Sequence, residues 1–423
     1  MTSFWRIFWL EFTGFVRSKA LALLVAASLI WMLGLPFVMK GDGTADGARE
    51  LYIHYSLGGV FTLLVIALLA SATGSLARER EAKRLQLTLV RPVRYTLIVL
   101  GKILAHVAIG ALVLAVACTA LAVRTDLSHP CNHVLSPVLP SPREEAKAMY
   151  ESYMKDPATP EPVRRAKKEI VLRLLENRAV DRYDTIRTNE TAVWKFRGLE
   201  SSEGREGLSV RMRFTNQFEM RQDVCGTFRL GDLCGVVSNI TQAVLTIPLT
   251  SCASQTSQTA RASLSFANAG KSAVMFRPRK DINLLVPADA FGWNLIRAYV
   301  VLVSILSFVI SLGVFLSAGL GRPVAMFVAF VTLVVSEMSP SVVEQYPDEL
   351  ETNLVDRMGL YITRFAAEVT RPVSSAAPLE ALAKDECVEP VTVLRIGAAN
   401  FLALPLLLAF LSALILPRKQ EGC

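Results

Sequence analysis

The stretch SLAREREAKRLQLTLVRPVRYTLIVLGKILA, residues 75–105, interrupts an apolar sequence and decides how the chain is organised. Five basic residues and two acids fall between Arg78 and Arg91. The apolar runs on either side contain no Lys, Arg, Asp or Glu over about 20 residues, the length of a membrane-crossing helix. This arrangement is typical of a short cytoplasmic connection between two membrane helices.

The composition assigns the whole chain to the membrane class, because 52% of its residues are hydrophobic and only 19% are charged. Uncharged apolar runs long enough to cross the hydrocarbon core occur at residues 20–39, 55–76, 103–123, 298–320 and 396–416. A sixth run, residues 323–338, is shorter and carries Glu337, so its length alone also allows a buried or re-entrant segment.

The distribution of Lys and Arg predicts the orientation of these spans. Basic residues precede the first run, fill the connection between the second and third, and follow the last run, whereas residues 41–54 contain one Arg and three acids. By the positive-inside rule the N-terminus is cytoplasmic. Both termini are cytoplasmic only if residues 323–338 also cross the membrane, so the sequence predicts six transmembrane helices. Residues 20–123 contain the first three helices, residues 294–338 form the fourth and fifth helices, and residues 396–423 form the sixth helix and a basic tail.

The first 19 residues form an aromatic segment ahead of the first run, residues 20–39. Phe4, Phe8, Phe12 and Phe15 recur at three- and four-residue steps. This spacing predicts an amphipathic helix in the cytoplasmic membrane interface. The alternative is a first membrane helix that simply begins earlier.

Two longer segments fall on the extracytoplasmic side in this topology. Residues 124–293 show helical patterns over 142–180, a helical neck, and then period-2 alternation over 190–287. The second segment, residues 339–395, contains an amphipathic helical pattern. The predicted fold is therefore an α-helical polytopic membrane protein with an extracytoplasmic α+β insertion ending in a β-sandwich-like domain.

The cysteines and histidines give few site predictions. Cys225 and Cys234 flank a predicted strand-turn-strand and form the preferred candidate disulfide, although connectivity cannot be read from sequence. His129, Cys131 and His133 alternate but lack a fourth ligand nearby, so no metal site is predicted.

Missing motifs narrow the function. The chain has no phosphate loop, because Gly101 and Lys102 lack the upstream glycine, and it has no nucleophile elbow or zinc-protease motif. The only ionisable residues in the spans are His106 and Glu337, both near span ends. Since ion-coupled carriers keep buried charges for use, this pattern disfavours a secondary transporter and an intramembrane enzyme. No catalytic residue, cofactor or nucleic-acid partner is predicted.

The charged stretch resembles the coupling helix of the permease subunit of type-2 ATP-binding-cassette (ABC) export systems. In that family an amphipathic helix between the second and third spans docks into a separate ATPase and is followed by a Gly-Lys pair. The corresponding residues here lie in a coupling helix at about 77–94 and just beyond it: Glu79, Glu81, Arg84, Leu89, Arg91, Pro92, Gly101 and Lys102. The chain departs from the family at Lys83 and Arg84, where a Gly-Thr pair is common.

The resemblance covers the membrane part, about half of the chain: the aromatic first helix, the six spans, a short turn around residues 319–323 and the basic tail at residues 416–420. It implies an export permease of a bacterial inner membrane. The implied partners are a cytoplasmic ABC ATPase subunit, which would bind the ATP, a second permease copy and the lipid bilayer. An alternative from a different class is a membrane-anchored sensor or relay protein whose extracytoplasmic domain binds a partner without transport.

Overall fold

The computed structural model describes residues 2–39, 45–81, 94–156, 168–180, 182–196, 207–215, 223–240, 244–251, 263–345 and 377–420. The chain divides into two compact units. One unit contains the long apolar helices, and the other, residues 131–288, contains most of the strands.

The helical unit begins with α1 and α2, which are separate helices because the chain turns at Arg17 and Ser18. The helices of this unit are α1 (Thr2–Val16), α2 (Lys19–Val38), α3 (Ala45–Glu81), α4 (Tyr95–Arg124), α7 (Phe291–Gly319), α8 (Arg322–Gln345), α9 (Pro378–Ala383), α10 (Pro390–Gly397), a π-helical turn (Ala398–Ala403) and α11 (Leu404–Gln420). The aromatic segment predicted over residues 1–19 is thus a helix of its own, and its place in the membrane interface stays a prediction.

Within the described residues, five segments are long and apolar enough to cross a membrane, and the chain is a multi-pass integral membrane protein. They are Lys19–Val38, Gly47–Glu79, Tyr95–Arg124, Phe291–Gly319 and Pro390–Ile415. Each contains most of one predicted run, because a stretch of about 20 apolar residues can satisfy its backbone in lipid only as a helix. The apolar segment Arg322–Val335 of α8 is shorter than these five, so the sixth membrane span stays a prediction.

The core of the helical unit forms around α7, which contacts α3, α4 and α11. Its buried face includes Leu302, Leu306 and Ile310, and these pack with Leu64 and Val113 of the neighbouring helices in one apolar cluster. Because water is excluded from such a core, any charged side chain within it requires partners.

In its described residues the second unit contains two helices and, as predicted, an antiparallel β region. The helices are α5 (Pro142–Lys155) and α6 (Lys168–Val180). The strands are β1 (Pro130–Leu135), β2 (Asp184–Ile186), β3 (Thr191–Lys195), β4 (Ser209–Arg213), β5 (Asp223–Leu230), β6 (Leu233–Ile240), β7 (Val244–Pro248), β8 (Thr250–Ser251), β9 (Ser263–Asn268), β10 (Val274–Phe276) and β11 (Ile282–Ala290). Helix α5 starts at a capping box in which Ser141 accepts a hydrogen bond from the Glu144 amide, and the Glu144 carboxylate accepts one from the Ser141 amide.

The strands form sheets in the orders β1-β11-β4-β7, β3-β9-β5-β6-β8 and β10-β2. Alternate residues of the two larger sheets meet in one core, where the rings of Phe228 and Phe266 lie 4.6 Å apart. The β5–β6 hairpin closes through Gly231 and Asp232, and Gly231 has a φ of 55°, which glycine adopts without a steric penalty.

The hairpin register contradicts the predicted Cys225–Cys234 disulfide. Cys225 faces Ser238 across the ladder, whereas Cys234 faces Arg229, four residues further along β5. Four residues of strand span about 13 Å, well beyond the Cα separation of about 7 Å that a disulfide tolerates. In the structure Cys225 is a free thiol and Cys234 belongs to a disulfide that does not include it.

Candidate functional site

Lys102 is a deeply buried charged side chain in the helical unit. It lies in the second turn of α4, and its side chain is only 2% exposed. The ammonium Nζ donates to Glu79 Oε1 at 2.8 Å and also to Glu11 Oε1. A buried ammonium is tolerated only when opposite charges replace its lost hydration, so the two carboxylates account for its position.

The two carboxylates come from different helices and differ from Lys102 in exposure. Glu11 lies on α1 and its side chain is 23% exposed, and Glu79 lies near the end of α3 and is 31% exposed. Water therefore reaches the acidic side of the cluster but not the basic side. We call Glu11, Glu79 and Lys102 the three-helix ion cluster.

Gly101 allows α1 to approach α4 closely beside this cluster. A Cβ at this position would lie 3.1 Å from Cγ2 of Ile7 and 3.5 Å from the backbone nitrogen of Phe8. The contact with Ile7 requires that side chain to shift by a few tenths of an ångström, whereas the distance to the Phe8 nitrogen is an ordinary van der Waals contact. The Gly-Lys pair thus has a local structural role. Gly101 leaves room for α1 to pack closely against α4, and Lys102 pairs with the Glu11 carboxylate of α1.

His106 forms a second polar contact one turn further along α4. Its Nδ1 lies 2.8 Å from the Lys102 carbonyl oxygen, which can only accept, so Nδ1 carries a hydrogen and donates. In the neutral ring Nε2 then accepts from the Ser71 hydroxyl of α3 at 3.2 Å. The Phe15 ring of α1 meets the imidazole edge-on at 4.8 Å.

Both sets of contacts join the same three helices, α1, α3 and α4. Residues 82–93 connect α3 to α4, and Glu79 and Lys102 lie on either side of that connection. The helices at the two ends of this connection, α3 and α4, are therefore joined by the Glu79–Lys102 ion pair. A force applied to the connection would be transmitted to α3, α4 and α1 together.

The structure brings together only some of the residues predicted for coupling. Glu79, Gly101 and Lys102 are in or beside the ion cluster. Glu81 is the last residue of α3, and its side chain lies outside the described part of the chain. The remaining predicted coupling residues also lie outside the described residues: Arg84, Leu89, Arg91 and Pro92.

Glu11 is the residue of this site that the sequence analysis missed. It is the only acid among the first 40 residues, and this isolation in an aromatic helix was the available signal. Its partner Lys102 lies 91 positions away, so periodicity along α1 could not identify the pair.

Comparisons of the chain with protein-family models, with curated proteins and with solved structures found no match.

Proposed function

We propose that the chain is the membrane subunit of an ATP-driven exporter of the type-2 ABC class, energised by a separate cytoplasmic ATPase that docks on residues 82–93 and the adjoining end of α3. The observation that carries the proposal is the charged stretch at residues 75–105, whose resemblance to a coupling helix predicts a docking element. The three-helix ion cluster is compatible with this role, because Glu79 and Lys102 join the helices on either side of residues 82–93.

The charge of that connection supports a soluble protein partner. Residues 82–93 contain Lys83, Arg84 and Arg91 and no acid, and Glu79 and Glu81 precede them. Because Glu79 is already paired with Lys102, Glu81 and Arg84 are the better candidates for contacts to the ATPase. Charge pairs of this kind mainly set specificity and association rate.

Mechanical coupling follows from the same contacts. ATP binding would move the docked ATPase and with it residues 82–93. Because Glu79 and Lys102 link the two ends of this segment, α3 and α4 would move as one body and take α1 with them through Glu11. Export would then require two copies of the chain whose helical units rock between two states.

The test uses the full-length chain co-expressed with a candidate cytoplasmic ABC ATPase subunit. We expect the chain alone to hydrolyse no ATP and the purified complex to do so. The double charge reversal Glu81→Lys with Arg84→Glu should lower both co-purification and the ATPase rate of the complex. Arg395→Glu on α10 is the matched control, since it changes an exposed charge in another part of the chain.

Unchanged pairing in the double reversal would contradict docking at this segment. A stable complex that hydrolyses ATP but moves no substrate in sealed vesicles would contradict export and favour the relay function instead.

A further inference from the structure

Two adjacent apolar grooves run along the last three turns of α4. The first, which we call the α7 groove, lies against α7 and has a volume of about 530 Å³. The second, the α2 groove, lies against Leu29 of α2 and has a volume of about 400 Å³. Ala115 and Thr119 line both grooves, so the two grooves adjoin at these side chains.

The grooves exist because α4 carries small side chains where its neighbours are large. Ala115, Thr119 and Ala122 leave the α7 groove open, and Trp293 of α7, 64% exposed, forms its wall. The Thr119 hydroxyl donates to the Ala115 carbonyl oxygen at 2.8 Å, so it offers no free hydrogen to an occupant. The lining therefore suits a hydrocarbon and not a polar solute.

The length of the α2 groove matches one acyl chain. Its lining on α4 runs from Leu112 to Val123. At about 1.5 Å per residue this is about 16 Å, and half of the about 30 Å hydrocarbon core is about 15 Å. An occupant of this length reaches from one membrane surface to the middle of the bilayer, as a lipid chain of one leaflet does.

A cation lies at the end of α4 beyond the grooves. Arg124 directly follows Val123 of the α2 groove and lines a separate cavity of about 290 Å³, together with Pro36 of α2 and Tyr52 of α3. Its guanidinium carbon lies 6.0 Å from the centre of the Tyr52 ring, and it has no ion pair with any carboxylate in the part of the chain that the structure describes. Guanidinium groups bind phosphate with two parallel hydrogen bonds.

We propose that α4 holds one diacyl glycerophospholipid, with one chain in the α7 groove, the other in the α2 groove, and the phosphate on Arg124. The two chains account for the two adjacent grooves, and the phosphate accounts for Arg124, which follows Val123 of the α2 groove and has no ion pair within the described residues. This inference is independent of the proposed ATPase partner, because it uses only α2, α4 and α7 and their neighbours.

The experiment measures lipid retention by native mass spectrometry on the delipidated full-length chain, with dioleoyl phosphatidylglycerol and dioleoylglycerol as probes. The wild type should bind one phosphatidylglycerol in preference to the diacylglycerol, which has the same chains but no phosphate. Arg124→Gln should remove this preference, by about tenfold, the effect of one charge-assisted hydrogen bond. Arg395→Gln, another exposed arginine, should retain it.

Chain occupancy is tested with Ala115→Phe, which fills both grooves, against Ala22→Phe, which adds the same ring at an exposed position of α2 outside them. Only Ala115→Phe should weaken phosphatidylglycerol binding. Equal phosphatidylglycerol binding by the two variants would overturn the proposal, because the lipid would then be bound non-specifically and not in the grooves. A lipid-free dimer in the wild type would also overturn it, since a second copy would then cover the grooves. Because Arg124→Gln changes an exposed side chain, it decides the phosphate contact even where Ala115→Phe does not fold.

Discussion

The three-helix ion cluster predicts an energetic coupling between Glu79 and Lys102 that a double-mutant cycle can measure. The perturbations are Glu79→Gln, Lys102→Met and the two together. In Glu79→Gln the ammonium keeps Glu11, whereas Lys102→Met leaves two carboxylates that water can reach. The cycle isolates the pairwise contribution because each variant removes one side of the same contact, Nζ to Oε1 at 2.8 Å.

The magnitude follows from the exposure of the two partners. Exposed ion pairs contribute roughly 0.2–1 kcal/mol, and breaking a fully buried pair costs roughly 3–5 kcal/mol. Lys102 is 2% exposed but Glu79 is 31% exposed, so the pair lies between these limits. We expect Glu79→Gln to cost about 1–2 kcal/mol and to cost almost nothing once Lys102 is methionine.

The assay is reversible unfolding of the full-length chain in mixed detergent micelles titrated with dodecyl sulfate, followed by far-ultraviolet circular dichroism. Arg395→Gln serves as a control for loss of an exposed charge. If Glu79→Gln costs the same free energy of unfolding in the wild type as in Lys102→Met, within about 0.3–0.5 kcal/mol, the two side chains do not interact. That result would refute the proposed link between α3 and α4.

Three further predictions concern the second unit. The hydrogen bonds from Ser141 lower the pKa of Glu144, so the stability contributed by this carboxylate is present above the ordinary Glu pKa of about 4.3 and is lost as the pH falls through the lower folded-state pKa. Hydrogen exchange of α5 should show this loss in the wild type and not in Glu144→Gln. Alkylation without reductant should modify Cys225 and leave Cys234 unmodified, and modification of Cys234 would contradict its disulfide. Asn268→Ala should destabilise the full-length chain by about 2–3 kcal/mol in denaturant titration. The reason is that the buried Asn268 amide shares its N–H groups among three carbonyl groups and accepts a hydrogen bond from Gly270. A loss below about 0.5 kcal/mol would contradict a stabilising role for these hydrogen bonds.

The membrane helices were predictable from the sequence because a single physical requirement determines them. A backbone in lipid must satisfy its own hydrogen bonds, so an uncharged run of sufficient length becomes a helix whatever it contacts. The alternating strands β3, β4 and β9 were predictable for a similar reason, since one face of each is buried in the common core. By contrast β1 lies outside residues 190–287, where alternation was predicted, and it begins at Pro130, a residue that a strand tolerates at its first position.

The site was predictable only where its residues are close in sequence. The resemblance selected Gly101 and Lys102, but no local pattern contains the information that Glu11 folds back onto them. The π-helical turn in the last span is a second example. It contains Asn400, whose buried side-chain amide has no hydrogen-bond partner in the described part of the structure, and neither feature follows from an apolar run.

The structural role of Gly101 and Lys102 changes what the resemblance can establish. A chain that packs an N-terminal helix against its third span needs a small residue for close approach and a charge partner for Glu11, whether or not an ATPase is present. The Gly-Lys pair is therefore explained by packing alone and does not by itself indicate coupling. The same reasoning applies to Glu79, because its reversal would disrupt the ion cluster and weaken docking indirectly. Only residues that do not participate in the cluster can separate docking from folding, which is why the decisive reversal is placed at Glu81 and Arg84.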